Sequence, residues 1–586
     1  MPDLGSNSAW LGGDGEGWER GAYYVRGLVS LAYETGDEML IAKARKWINW
    51  TLDNQRPDGQ IGPKTNDDWW PRMVMNWTLR DYYEATGDPR VIPVLTRYAH
   101  YLQDNLPKRP VAQWAKARAG DQIDTLYWLY NRTGEPFLLD TADILRRQAN
   151  DWNHFFADLH GTKGDFRPTH GVNVAQGIKF PLEAYQRTGS DADRAVYLEA
   201  WEILRSRHGL PAGLWSGTEL LASQATSQGV EMCSIVEQMM SHETALAVLG
   251  EPVLGDQLEQ IAFNLLPGGT TKDFHQFQYY TLVNQPVAHG GPKGVYGFRD
   301  DHGNDLVPGP MSGFPCCCFN IHMGWPKYVQ HTWMASPDGG LAAVAYGPTE
   351  VTTMLGGTSV TITENTDYPF SDTLHFVVTP EKPIAFPLRL RIPAWAVAPQ
   401  VKVNGEKVEG EVRPGSFLLI ARSWKAGDIV EAEFPARLGV IGAIRGSATL
   451  CRGPLVFSLR IGEKATAMKG TAGFEELAMD PITPWNYGLD LDPAAFETSV
   501  HLVRGPVPEN PWWPDTTPIK LTVAARRLPQ WGLAQAGYLA DEVPESPAES
   551  REPLETVTLV PFGAQTLRIT AFPLLRRSTD PARNRQ

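Results

Sequence analysis

Apolar positions change their period once along this 586-residue chain. Up to about residue 335 they recur at the three- and four-residue intervals of amphipathic helices, and beyond it they alternate with polar positions as in half-buried strands. The helical part also repeats itself. "LAYETGDEML" (31–40), "DYYEATGDPRV" (81–91), "WLYNRTGEPFLL" (128–139) and "EAYQRTGSDAD" (183–193) share one pattern, and "LAVLGEPVLGD" (246–256) is a weaker copy. Each ends an apolar-periodic helix, passes through a glycine and continues with an acidic residue or Pro. The glycines Gly36, Gly87, Gly134, Gly189 and Gly250 are 51, 47, 55 and 61 residues apart. Glycine takes the left-handed position after a helix, and the residue that follows opens the next one.

A period of about 50 residues is room for two helices and their connections. Helix pairs at this period build either an open solenoid or a closed ring of six hairpins. Five copies and a degenerate sixth favour the ring, an (α/α)6 barrel over residues 1–335. The Gly/Pro/Trp-rich insert "RPDGQIGPKTNDDWWPRM" (56–73) favours it too, because in a barrel such inserts gather at one end and line a cleft.

Past residue 335, "TSVTITENT" (358–366), "FPLRLRIPAW" (386–395) and "DIVEAEFPA" (428–436) read as strands, and "VKVNGEKV" (401–408) as an Asn-Gly hairpin. The expectation is a β-sandwich over 336–440 and a second over 441–586. The acidic, Pro-rich stretch 539–553 reads as a mobile loop and the tail 576–586 as disordered. The fold class is therefore mainly α with β, the barrel preceding the sandwiches.

Composition narrows the function classes. The net charge of −14 offers no attraction to nucleic acid or to an anionic membrane surface, and no apolar run is long enough to span a bilayer. The N-terminus shows no basic region followed by an apolar stretch, so a cytoplasmic location is expected, or a periplasmic one if a leader has been removed. There are 20 Trp; some can stack on sugar rings, but most are expected in the core.

The chemistry gathers around "FPCCCFN" (314–320), which holds three of the five cysteines. An odd count with three adjacent residues is a poor disulfide framework. The helical stretch "GVEMCSIVEQMMSHETALAVLG" (229–250) places Glu231 and Cys233 together at its start. A carboxylate and up to four thiols are ligand types that suit Zn²⁺. The ligand types alone leave a metal site, an inert buried thiol cluster and redox work all open. Glu219, in the Gly/Ser-rich stretch 208–233, is either a general acid or a solvated loop charge. His170, at the mouth of another helix, is either a cap or a site residue.

Several stretches together carry a resemblance: "THGVN" with the following Lys (169–179), "GVEMCSIVE" (229–237), "FNLLPG" with "YYTLVNQ" (263–285) and "CCCFNIHMGWPKYV" (316–329). "RIPAW" (391–395), "VNG" (403–405) and "GPLVFSLRIGE" (453–463) extend it through the β region. The chain resembles glycoside hydrolase family 127, the β-L-arabinofuranosidase-like proteins, over nearly its whole length. The resemblance implies the barrel and β-sandwich order and a retaining glycosidase whose nucleophile is a zinc-bound cysteine. Counted from Asn320, it maps Cys316 to nucleophile and ligand and Cys317 to ligand, with Glu231 and Cys233 completing the Zn²⁺ set. Cys318 stands where the family usually has a small residue or Pro. Glu219 maps to the acid/base. His170 aligns with one of the family's substrate-contacting histidines. The regions of two others, 67–77 and 118–124, contain no His, so Trp69, Trp70 and Asp121 are expected to line the pocket, together with Tyr279 of the matched "YYTLVNQ".

The expected activity is exo-release of β-L-arabinofuranose or a sugar of similar shape from plant-derived glycans. The alternatives are another deoxy or acidic sugar, a lyase or epimerase on a similar barrel, and a non-catalytic carbohydrate-binding protein with a structural zinc. The expected partner is a glycan or glycoside. A homodimer is left open.

Overall fold

The computed structural model describes residues 4–159, 167–492 and 494–576. Most of the tail expected to be disordered lies outside the described residues. Five helical hairpins follow one another: Glu19–Thr35 with Glu38–Asp53, Trp69–Thr86 with Val91–Asn105, Ala119–Thr133 with Phe137–Gln148, Phe180–Thr188 with Asp191–His208, and Met232–Leu249 with Pro252–Ala262. The first helix of each hairpin touches the first helix of the next. The short helices Cys316–Asn320 and Gly324–Gln330 fill the sixth place and close the ring against Glu19–Thr35 and Met232–Leu249. This is the (α/α)6 barrel, with a sixth member reduced to its inner segment among the described residues.

The repeat glycines end the first helix of each hairpin at φ values of 65, 65, 71, 66 and 63° for Gly36, Gly87, Gly134, Gly189 and Gly250. A Cβ added at any of them would meet nothing within 4 Å, so the left-handed dihedral, not crowding, is what demands glycine.

The barrel ends at Gln330, and the strands of the β regions begin at Trp333. A six-stranded sheet runs in the order Glu406–Lys407, Gln400–Val403, Asp428–Glu433, Thr373–Pro380, Thr358–Thr366, Thr349–Leu355. A four-stranded sheet accompanies it in the order Ser416–Trp424, Ile384–Ile392, Leu341–Ala343, Trp333–Ala335. Alternate residues are buried, Val360 and Ile362 on one strand and Leu374, Phe376 and Val378 on its neighbour. The Asn-Gly turn forms as expected, with Asn404 at φ 51° and Gly405 at φ 81° between the paired Val403 and Glu406. The last region is built on a seven-stranded antiparallel sheet from Leu438 to Pro561, with a ribbon beside it whose strand Glu463–Thr471 is exposed and whose strand Phe474–Pro481 is half-buried.

Two expectations change. The stretch 539–553 is anchored: Val543 is fully buried, and Ala548 donates to Leu574 O and accepts from Arg576 N. Its charged side chains suggested mobility, but its few apolar ones have a core to enter. The insert 56–73 becomes the helix Trp69–Thr86 from its fourteenth residue, because Asp68 caps Trp70 N and fixes the helix start.

The β regions are tied to the barrel by buried polar contacts. Arg391 pairs with Asp256 and Glu259 of the barrel. Asn284 accepts from Thr570 N and Ala571 N, and the strand Arg568–Ile569 pairs with Asn284–Gln285, just past the strand Tyr280–Leu282.

Candidate active site

The site sits where a small sheet meets the inner ends of two barrel segments. The sheet has the order Leu220–Leu221, Gly217–Thr218, Gly229–Glu231, Tyr280–Leu282. Glu231 is the register partner of Tyr280. Glu219 stands in the turn between the paired Thr218 and Leu220, at φ 66°. A left-handed glutamate is strained backbone, held here by Glu219 O accepting from Gly171 N at 2.8 Å. The stretch read as a loop is therefore a loop pinned by very short strands.

Glu231 continues into the helix Met232–Leu249 as its N-cap residue, with Cys233 in the first turn. The positive end of that helix favours anionic ligands. Cys316 and Cys317 open the helix Cys316–Asn320 opposite. The structure brings four donors together: one ligand atom from each of Glu231, Cys233, Cys316 and Cys317 lies within 4.8 Å of the others. Cys317 Sγ is 3.2 Å from Cys233 Sγ and 3.9 Å from Cys316 Sγ, and both Cys316 Sγ and Cys317 Sγ are 3.7 Å from Glu231 Oε1. Cys318 is outside this group.

A second constellation shares Glu231. His170, Glu219 and Glu231 also place ligand atoms within 4.8 Å of one another. Glu219 accepts from Tyr279 OH at 2.5 Å and Tyr280 OH at 3.1 Å, and its Oε2 lies 3.0 Å from His170 Nε2. His170 Nδ1 accepts from Asn173 N, which leaves the proton on Nε2 for Glu219. His170 is thus both the cap and a site residue. Tyr279 OH is 4.0 Å from Cys316 Sγ, so one phenol joins the carboxylate to the thiol.

Electrostatics separate the two carboxylates. Burial pushes Glu219 up, but the bond and charge of His170 and the two tyrosine hydroxyls outweigh it and hold the group below its usual value. Burial, then the charges of Glu219 and Cys316, push Glu231 well up. Cys316 is pushed well up by its bond to Cys233, and Cys317 by burial, while Cys233 ends low because bonds from Cys316 and Cys317 outweigh its burial. With their own charges alone the four groups cannot all be anionic. Glu231 Oε2 is buried without a hydrogen-bond partner, and a cation among these donors relieves both conditions. Three thiols and a carboxylate are a donor set that fits Zn²⁺.

The structure does not join every expected residue to this centre. Trp69 donates to Arg109 O, carries the Arg109 guanidinium on its face at 3.7 Å and is 2% exposed, so it has no free face for a sugar. Trp70 is fully buried, donates to Glu19 at 2.7 Å and is covered by Arg118, so it stands behind two groups whose charges act on Cys316 and Glu231 and does not itself face them. Asp121 is paired with Lys179 at 2.6 Å in the barrel interior. None of these contacts involves His170, Glu219 or the thiols. All three residues lie in the first turns of inner helices, where ring closure buries them. Tyr280 was missed. It follows Tyr279 in the matched "YYTLVNQ", and that adjacency was the signal for it. Tyr279 precedes the strand, so both hydroxyls reach Glu219.

The model of the GH127 beta-L-arabinofuranosidase catalytic domain matches residues 10–330, and that of the GH127 middle domain matches residues 340–436. No curated protein matches the chain. Among solved structures, a GH127 beta-L-arabinofuranosidase from Geobacillus stearothermophilus T6 is 19% identical with a TM-score of 0.70, covering 97% of this chain and 92% of that one. A chain described as a glycoside hydrolase is 17% identical with a TM-score of 0.69, covering 95% and 92%. A GH127 beta-arabinofuranosidase is 17% identical with a TM-score of 0.62, covering 95% and 89%. These likenesses show the fold. The class is that of the glycoside hydrolases built on a helical barrel with β regions behind it. Within that class, the chain belongs to glycoside hydrolase family 127, the beta-L-arabinofuranosidase family.

Proposed function

We propose that the protein is a zinc-dependent retaining exo-glycosidase that releases β-L-arabinofuranose, or a sugar of similar shape, from plant-derived glycans. The observation that carries this reading is Tyr279 OH, 2.5 Å from Glu219 and 4.0 Å from Cys316 Sγ. A thiol and a carboxylic acid then flank one point, as a retaining mechanism needs. Four converging protein donors alone would equally suit a closed structural zinc site. The acid/base beside Cys316 favours catalysis.

Glu231, Cys233, Cys316 and Cys317 would hold the metal. Bound there, Zn²⁺ would stand in place of the thiol protons and hold the sulfurs as thiolates. Cys316 Sγ then attacks the anomeric carbon as the glycosidic bond breaks, and Glu219 gives its proton to the departing oxygen. Water cleaves the resulting carbon–sulfur bond, with Glu219 taking a proton from that water. Two displacements at one carbon retain its configuration. The three donors on Glu219 suit its second role as base and oppose its first as acid. The first role therefore relies on the substrate, which buries the carboxylate further.

An activated furanoside that traps the intermediate tests this reading. Peptide mass mapping should find one label, on Cys316. A label on Cys317 or Cys318 would show the assignment of the thiols to be wrong.

A further inference from the structure

Exposure grades outward from this centre. Cys317, Glu231 and Tyr279 are buried, Glu219 and His170 nearly so, and Cys316 is half-buried. Two rings continue the series to the surface. Phe314, two residues before Cys316, is 42% exposed, and His302 is half-buried beside it, ring centroids 6.1 Å apart. His302 also packs edge-on against Tyr279 at 5.8 Å, the phenol that holds Glu219.

His302 is held by a built support. Asp305, fully buried, accepts from His302 Nδ1 at 2.8 Å and from His302 N at 2.8 Å, and Tyr280 N donates to Asp305 O. An ionised carboxylate only accepts, so Nδ1 carries the proton and Nε2 is the edge turned away from Asp305. Nε2 has no protein partner among the described residues. A half-exposed imidazole locked by a buried carboxylate, with an exposed phenyl ring beside it, has the two elements that recognise a sugar ring: an apolar face for its C–H groups and a polar atom for a hydroxyl. Nε2 accepts from a hydroxyl when neutral and donates to one when protonated, so it serves in either state.

We infer that His302 and Phe314 form the leaving-group subsite, binding the second sugar of a glycan whose terminal sugar is held at Cys316 and Glu219. This rests on the proposed exo-cleavage. In that geometry the terminal unit lies among the buried groups, and the unit that departs lies toward the mouth. Glu219 must reach the oxygen between the two, and His302 packs edge-on beside the Tyr279 that orients Glu219, with no hydrogen bond between these two rings among the described residues.

The test compares two substrates that share a terminal β-L-arabinofuranosyl unit: a disaccharide, and the methyl glycoside, which has no second ring. The wild-type rate on the methyl glycoside reports the reaction, and the ratio of the two rates in Phe314→Ala and His302→Ala reports the subsite. Loss of one stacked ring or one hydrogen bond should lower kcat/KM on the disaccharide about 5- to 10-fold in each variant. The methyl glycoside should stay within about 2-fold of wild type, which also shows that the variants fold and keep Glu219 in place. Equal losses on both substrates would put these rings in the terminal-sugar pocket or in the scaffold, and no loss on either would remove them from recognition; both overturn the subsite. A wild-type protein inert to both substrates would overturn the reaction and the subsite with it.

Discussion

Tyr280→Phe removes one hydroxyl from Glu219 and little else. The phenol is buried and its oxygen donates to Glu219 Oε1 at 3.1 Å. Tyr279, on the same oxygen at 2.5 Å, remains, so no acceptor is orphaned. A hydrogen bond to a charged group contributes about 1.5–3 kcal/mol. Because Tyr279 and His170 still hold the carboxylate, the lower figure applies, and about 1.4 kcal/mol corresponds to one pKa unit. Glu219 is held low by its donors, so the variant's Glu219 should titrate about one unit higher. In glycosylation Glu219 must be protonated, and the alkaline limb of kcat/KM should therefore move up by about one pH unit. Above that limb the variant has more of the active acid form, so on a substrate with a poor leaving group it should be no slower than wild type. The assay is a pH–rate profile of kcat/KM, with zinc content measured in parallel. Stability gives a second check. A lowered carboxylate contributes stability above its unfolded pKa and loses it as pH falls through the folded value. The deficit of the variant should accordingly shrink as pH falls below about 4. An alkaline limb that stays put or moves down, with zinc retained, would refute Tyr280 as a donor that sets Glu219.

Other perturbations read other parts of the site. Glu219→Gln should lower kcat/KM about 100-fold or more on substrates with poor leaving groups and much less on activated aryl glycosides; equal mild losses on both would demote Glu219 to a loop charge. Protein prepared without added metal should carry about one zinc per chain by elemental analysis. Cys317→Ser should lower zinc content and activity together, and a fully active metal-free preparation would remove the metal from the reaction. Glu183 is buried with both carboxylate oxygens unpartnered, and burial pushes it well above its usual value. Such an acid costs stability from its unfolded pKa upward until the folded value is reached. Melting curves should thus show Glu183→Gln gaining on wild type as pH rises from 5 to 8, and a pH-independent difference would contradict this.

The barrel was legible because its signal is local: each repeat glycine marks a helix end that sequence alone can show, and all five stand in the left-handed conformation. The ligand-type residues were legible as kinds but not as a constellation. Glu231 and Cys233 are adjacent on one helix start, whereas their distance to Cys316 and Cys317 depends on ring closure by a degenerate sixth repeat with no periodic signature. Trp69, Trp70 and Asp121 lie deeper than a cleft lining. They come from the regions that the resemblance gives to two missing histidines, and a region alone does not say which side chains of a helix's first turn stay open once the ring closes. His302 and Asp305 had no sequence signal, since an irregular stretch gives no periodicity from which to infer a direction.

The three adjacent thiols show how far local geometry alone can go. In a helical turn successive side chains are rotated by about 100°, so Cys316 and Cys317 can face one point while Cys318 cannot. The distances agree: Cys316 Sγ and Cys317 Sγ are both 3.7 Å from Glu231 Oε1, and Cys318 is outside the four-donor group, half-buried and packed against the barrel core. Substitution should therefore separate three neighbours of identical chemistry. Cys318→Ser should keep zinc and turnover and cost about 1–2 kcal/mol of stability, because a hydroxyl replaces a thiol in partly apolar surroundings. Cys316→Ser should abolish turnover, a serine hydroxyl being a poorer zinc ligand and a far weaker nucleophile than a metal-bound thiolate. The series is read by zinc content, thermal melting and rate on one activated furanoside. If Cys318→Ser is inactive while Cys316→Ser still turns over, the helix is rotated by one residue in the working enzyme, and the thiol pair that faces Glu231 is Cys317 with Cys318.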